Sequence, residues 1–262
     1  MSTHIDIAQV LESKGIKPKR WMVRLLNRLL HVDDINQCLD SCGDKEGVEF
    51  AKAAMKYLDI TVELKNEERI PRDGCPIIIA NHPLGGPDGM ALIAAVGSVR
   101  NDILFPVNDF LLFVKQLQPV FVPIDKVHGN RHTAGGINEA FAGRNVLLYF
   151  PAGLCSRRIK GKIVDPEWKP TVVKKAIQHH RDLIPVHIEA RNRGRFYTIA
   201  NWRKRLGIKF NFEMALLPGE LFAQRGKTFR MTVGEPIPWQ TLDDGTPAIE
   251  WAARLHDLIY NI

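Results

Sequence analysis

The sequence contains no uncharged apolar run approaching the roughly 18 residues that a membrane-crossing helix needs, so no helical span is expected. It has no low-complexity tract and no repeat at a solenoid period, which excludes disordered scaffolds and stacked-repeat architectures. Cysteine is scarce, with four in 262 residues. Cys38, Cys42, Cys75 and Cys155 form no CxxC pair, which argues against a structural zinc site, and they read as free thiols of a cytosolic chain. Cys155 reads as a small buried residue in preference to a nucleophile. No Gly-x-Ser-x-Gly elbow is present, which argues against an α/β-hydrolase. The clustered Asp and His residues of a metal-dependent phosphoesterase are missing as well. The N-terminus, MSTHIDIAQVLESKG, is polar and lacks the apolar centre of a signal peptide. A cytoplasmic protein is therefore expected.

Basic residues, in contrast, are in excess. The net charge is +7, which attracts phosphates and other anions. The cations concentrate in Lys17-Pro18-Lys19-Arg20-Trp21, with Arg24 and Arg28 following, in Arg157-Arg158-Ile159-Lys160, and from Arg191 to Lys209. Each run is interleaved with apolar residues, a pattern that suits a bilayer interface at least as well as nucleic acid. From Arg20 to Leu30, Trp21, Met22, Leu25, Leu26, Leu29 and Leu30 recur at helical spacing. That helix either packs on the core with its arginines solvated or lies in a membrane interface.

The periodicity predicts helices over 5–13, 20–30, 33–41 and 45–58, so residues 1–58 read as an N-terminal helical cap. Beyond it, strands are expected at 60–64, 77–80, 101–108, 119–125, 145–153, 183–190 and 229–237. Helices are expected at 90–96, 133–142, 171–180 and 247–260. This alternation over 59–262 predicts an α/β fold, a largely parallel central sheet flanked by helices. In such sheets the ligand site lies at the carboxyl ends of the strands. The loops at 81–89, 124–131 and 151–158 all follow strands and would share one cleft.

The stretch Ile77–Met90, IIIANHPLGGPDGM, carries the chemistry. A buried strand ends abruptly at Asn81-His82-Pro83, and a helix is expected to begin near Pro87-Asp88. A histidine in a Gly-rich loop has no core-packing purpose. An imidazole held by a nearby carboxylate is an effective general base, because the carboxylate fixes the tautomer and stabilises the cation. His82 and Asp88 are the candidate pair, although Asp88 also fits a helix cap.

Asn81-His82 with Asp88, then Pro123-Ile124-Asp125-Lys126, then Phe150-Pro151-Ala152-Gly153, then Ile184-Pro185-Val186 follow in order. They resemble the four sequence blocks of the glycerolipid acyltransferase superfamily, the lysophospholipid and glycerol-3-phosphate acyltransferases, over roughly residues 70–240. Five residues separate His82 from Asp88 where the family has four. Ala152 stands where the third block has glutamate, and Leu154-Cys155-Ser156-Arg157-Arg158 replaces its Thr-Arg-Ser triplet. His-Pro-Leu-Gly-Gly and Phe-Pro-Ala-Gly are similar to the hemolysin-like, lyso-ornithine-lipid acyltransferase subgroup, which acylates amino-acid-containing lysolipids.

The resemblance implies transfer of a fatty acyl group from acyl-CoA or acyl carrier protein to a lysolipid hydroxyl, with His82 as base and Asp88 orienting it. It implies substrate contacts from Asn81, Gly85, Gly86, Asp125, Lys126, Arg131, Pro151, Gly153, Ser156, Arg157 and Arg158. Of these, Lys126, Arg131, Arg157 and Arg158 would supply cations for an acidic acceptor head or donor phosphates. No metal and no other cofactor is implied. The partners implied are a lysolipid acceptor, an acyl carrier protein or CoA thioester, and a membrane surface. Nucleic acid is not among them, and the location is peripheral on the cytoplasmic face. Residues 195–222 would line an acyl path, form a second membrane contact or pack in the core. The alternative reading is a non-catalytic basic module binding a membrane surface or nucleic acid on the same fold.

Overall fold

Apolar runs flanked by breakers become the strands of one seven-stranded sheet. The computed structural model describes residues 4–13, 15–108, 111–123 and 131–262. Four helices lead: α1 (Ile7–Ser13), α2 (Arg20–Leu29), α3 (Val32–Cys42) and α4 (Gly47–Tyr57). Then follow β1 (Thr61–Lys65), β2 (Ile77–Ala80), α5 (Gly86–Val96), β3 (Ile103–Val107), β4 (Phe121–Pro123), α6 (Arg131–Ala142) and β5 (Val146–Tyr149). A hairpin of β6 (Arg157–Ile159) and β7 (Lys162–Val164) precedes α7 (Thr171–Gln178) and β8 (Leu183–Glu189). The chain closes through α8 (Gly194–Arg205), α9 (Leu217–Phe222), β9 (Thr228–Val233), α10 (Trp239–Leu242) and α11 (Ala248–Ile259).

The strand order is β1-β9-β8-β2-β5-β3-β4. Every pairing is parallel except β8 with β9. The largely parallel sheet with flanking helices is thus the architecture expected. All four residues of β2 are buried, as a central strand covered on both faces requires. Ile78 and Ala80 join Phe50, Met55 and Leu92 of α4 and α5 in one apolar cluster. Ile77 and Ile79 join Phe141, Val172 and Leu255 of α6, α7 and α11 in the other. The two-residue alternation of a strand sorts the isoleucines between the layers. Helices α3 and α4 therefore share the core of the sheet.

Helix α2 behaves differently. It has no buried residue, and Trp21, Leu25 and Leu29 are 63%, 57% and 41% exposed. Met22, Val23 and Leu26 are half-buried and the helix borders α1 and α3, so it rests on the helical layer without entering the buried core. Trp202 near the end of α8, and Leu206 and Phe210 beyond it, are likewise exposed, whereas Phe196, Tyr197 and Ala200 of α8 are buried. Among the described residues no helix is long and apolar enough to cross a membrane. The four cysteines are free, and Cys38, Cys42 and Cys155 are buried.

Strands β8, β2, β5, β3 and β4 all run the same way, so their carboxyl ends share one edge of the sheet. That edge carries Asn81-His82 after β2, Phe150-Pro151 after β5 and Arg191–Arg193 after β8. The antiparallel β9 brings its start, next to Lys227, to the same edge.

Candidate active site

Strand β2 stops at Ala80, and the next side chain locks it to its neighbour. The Asn81 amide donates from Nδ2 to the Ile188 carbonyl at 3.0 Å and accepts the Ile188 N–H at 2.7 Å. Expected as a substrate contact, Asn81 is buried with its amide spent on β8. The chain then turns through Gly85, at φ 99°, into α5. That conformation favours glycine, and a Cβ here would lie 2.9 Å from Leu217 Cδ1. Helix α5 begins at Gly86, next to the expected start near Pro87-Asp88, and Pro87 fits its first turn. Asp88 Oδ2 accepts the Leu84 N–H at 2.7 Å and the Gly85 N–H at 3.0 Å. The cap role and the pair role of Asp88 coexist.

Nδ1 of His82 lies 2.9 Å from Asp88 Oδ2. The contact is close but off-line, since the ring nitrogen does not meet that crowded oxygen head-on. The Asp88 side chain is 0% exposed and the His82 side chain 17%. Burial pushes the Asp88 carboxyl above its ordinary value, while His82 and the Leu84 and Gly85 N–H groups pull it down. The imidazole stacks on Phe150, with ring centroids 4.1 Å apart and planes 18° from parallel. Phe105 meets the Phe150 ring edge-on at 5.4 Å. Stacked on Phe150 and with Nδ1 towards Asp88, the ring is held in one orientation.

The backbone of His82 is held by a residue that no motif marked. The His82 N–H sits 3.1 Å from both carboxylate oxygens of Asp165. Asp165 also accepts from Ser156 Oγ at 2.6 Å and Trp168 Nε1 at 3.0 Å. Its own N–H donates to the Tyr260 hydroxyl at 2.8 Å. The Ser156 N–H returns to the His82 carbonyl at 2.7 Å. Asp165 is thus a buried hub joining the His82 loop, the loop after β5 and the last helix. It stands alone before Pro166, outside every block, so its neighbours in sequence gave no signal.

The third block reaches the same edge, and its residues diverge in what they offer. Ser156 is buried on Asp165 and His82 and is not free to meet a ligand. Arg157 donates to the Cys155 carbonyl at 2.7 Å, lies 3.4 Å from Glu213 Oε1 and covers the Phe196 ring. Its charge is engaged inside the protein, in place of the open cation expected. Arg158 is exposed, with its guanidinium 5.7 Å from the Tyr197 ring centroid. Pro151 is buried next to the stacked Phe150. The Gly153 N–H donates to the Phe150 carbonyl at 3.0 Å. Burial pushes the Cys155 thiol up, so it is not a thiolate nucleophile.

Backbone donors for an oxyanion are reduced in the same way. The N–H groups of Leu84, Gly85 and Gly153 are already engaged. Gly86, at the first turn of α5, is the remaining glycine of the two expected there. Asp125 and Lys126 lie outside the described residues, as does the side chain of Arg131. Among the described residues no group of three or more His, Cys, Asp and Glu could hold a metal ion.

Comparison with known proteins adds a relationship to this geometry. The Acyltransferase family profile matches residues 11–250. The chain is 43% identical to the lyso-glycine lipid O-acyltransferase of Phocaeicola vulgatus, over 98% of this chain and 95% of that one. It is 41% identical to the lyso-glycine lipid O-acyltransferase of Bacteroides thetaiotaomicron, over 98% and 97%. The crystal structure of the 1-acyl-sn-glycerophosphate (LPA) acyltransferase PlsC from Thermotoga maritima matches with a TM-score of 0.50. It is 16% identical and covers 97% of this chain and 85% of that one. That last likeness concerns the fold.

Proposed function

Because the chain belongs to the acyltransferase family, we propose that it transfers a fatty acyl group from an acyl-CoA or acyl-ACP thioester to the hydroxyl of a lysolipid with an amino-acid head group, with His82 as general base. The observation that carries this reading is the 2.9 Å approach of His82 Nδ1 to the buried Asp88. With Asp88 favouring the proton on Nδ1, Nε2 is the basic nitrogen turned to the acceptor. Nε2 takes the hydroxyl proton as the oxygen attacks the thioester carbonyl. The tetrahedral intermediate collapses, the C–S bond breaks, and the imidazolium returns the proton to the leaving thiolate. Products are an ester and a free thiol, and no electrons leave or enter.

Residues around the pair would act by position. Phe150 restrains the ring through stacking, and Asp165 restrains its backbone. Gly86 is the described glycine N–H left for the developing oxyanion. The relatives are named for a glycine lipid, and an amino-acid lysolipid is the acceptor class we assign by likeness. Family membership sets aside the alternative of a non-catalytic basic module.

We assign the membrane surface as the place of reaction. The exposed Trp21, Leu25 and Leu29 alternate with Arg20, Arg24 and Arg28 on a helix with nothing buried. Such a helix suits the boundary between acyl chains and anionic head groups.

The test is mass spectrometry of lipid products after incubation with acyl-CoA and acyl-ACP and a panel of lysolipids. An acylated amino-acid lysolipid in the wild type, lost in His82→Ala, is expected. No acylated acceptor, or undiminished product from His82→Ala, would overturn it.

A further inference from the structure

Next to the His82 loop, a groove of roughly 410 Å³ opens at the carboxyl end of β8 and the start of β9. Its walls carry four cations, Arg158, Arg191, Arg193 and Lys227, and no acid. Glu220 is the carboxylate nearby, 3.0 Å from Arg193 and 3.1 Å from Arg195. That leaves Arg158, Arg191 and Lys227 without an acidic partner among the described residues. Helix α8 also starts here, with Arg193 as N-cap, no side-chain cap and no acid in its first turn. The partial positive charge of that end adds to the side-chain charges.

The groove has a polar floor tied to the reaction centre. Asn192 Nδ2 donates to the Pro83 and Leu84 carbonyls, both at 3.3 Å, immediately after His82. The Asn192 N–H donates to the Tyr197 hydroxyl at 3.0 Å. Asn192 is 3% exposed, and its Oδ1 has no donor. A buried acceptor left without a partner is costly, and here it stands beside the groove.

We propose that this groove receives the head-group carboxylate of the acyl acceptor, with Arg158, Arg191 and Lys227 around the anion at the start of α8. The proposal rests on the acceptor class assigned above and adds the site that recognises it. An amino acid joined to lipid through its amine keeps a free carboxylate and one amide N–H. The carboxylate matches the cations. The N–H is the kind of donor that Asn192 Oδ1 lacks. Because Asn192 is bonded to the residues following His82, a head group seated here holds the acceptor next to Nε2. The fixed charges would select acidic lysolipids over neutral ones.

Arg191→Gln and Arg158→Gln alter exposed side chains, so both variants are expected to fold, as an unchanged Tm would verify. Binding of N-dodecanoylglycine, which has the carboxylate and amide but no hydroxyl to acylate, can be followed by calorimetry without turnover. Wild type is expected to bind it at least about 10-fold more tightly than its methyl ester. Each variant is expected to erase most of that difference. Equal binding of acid and ester would overturn the groove whatever the fate of the acyltransfer reading. Kinetics separate the other source of anion. The variants are expected to raise KM for the acidic acceptor with kcat nearly kept and KM for acyl-CoA unchanged. A rise confined to acyl-CoA, absent with acyl-pantetheine, would assign the groove to donor phosphates and overturn the proposal.

Discussion

Replacing Asp165 by alanine removes the acceptor of three buried donors at once: the His82 N–H, the Ser156 hydroxyl and the Trp168 indole. Each buried donor left without an acceptor costs about 1–3 kcal/mol. Water entering the small void would recover part of this, so a net loss of about 3–5 kcal/mol is expected. For a domain of this size that lowers Tm by roughly 6–20 °C. Asparagine is milder. Its oxygen can keep the His82 and Trp168 donors while its NH₂ faces Ser156 Oγ, which can accept. The expected cost is about 1–2 kcal/mol. The two variants should therefore fall in order, alanine well below asparagine. Asp165 touches no substrate in this scheme and acts through the position of His82. Below the variant's Tm, a slipped His82 backbone is expected to lower kcat about 100-fold in Asp165→Ala with little change in acceptor KM. Thermal denaturation followed by circular dichroism and steady-state kinetics read both effects. An Asp165→Ala protein with wild-type Tm and wild-type kcat would refute the reasoning.

The remaining expectations are independent of that hub. Asp88→Asn should leave the fold intact but lower kcat by about 10²–10⁴-fold, measured by ester formation at saturating donor. Gly85→Ala forces a φ of 99° and a Cβ 2.9 Å from Leu217, so a loss of about 1–3 kcal/mol is expected in urea unfolding. Burial pushes Glu220 up, yet the Arg193 N–H and the Arg195 and Arg193 guanidiniums hold it, on balance, below its ordinary value of 4.5. A depressed carboxyl stabilises the fold above that value and loses its contribution as pH falls beneath it. Tm of the wild type should thus drop more steeply than that of Glu220→Gln between about pH 5 and pH 3. Trp21→Ser with Leu25→Ser should weaken sedimentation with anionic vesicles and leave Tm within about 2 °C, because neither side chain is buried.

The sequence by itself determined the layering and the close approach of the candidate pair. Ile77–Ala80 has only apolar side chains and is closed by Asn-His-Pro, so a buried strand ending in a loop follows from local pattern. His82 and Asp88 are six residues apart across one turn, and local geometry suffices to bring them together. The excess of arginine and the amphipathic spacing of α2 were equally legible. What the fold alone decided is which distant polar groups meet. Asp165 is 83 residues from His82, and no pattern in its neighbourhood reveals that a carboxylate there would face three donors. Arg157 and Arg158 are adjacent and chemically alike in the sequence. One is drawn onto Glu213, and the other faces the open groove. Arg191 and Lys227 come together only because β9 runs against β8, bringing the start of one strand to the end of the other. Periodicity governs what burial favours along a chain. Long-range hydrogen bonds and charge pairs depend on chain crossings, and these are fixed only when the sheet assembles.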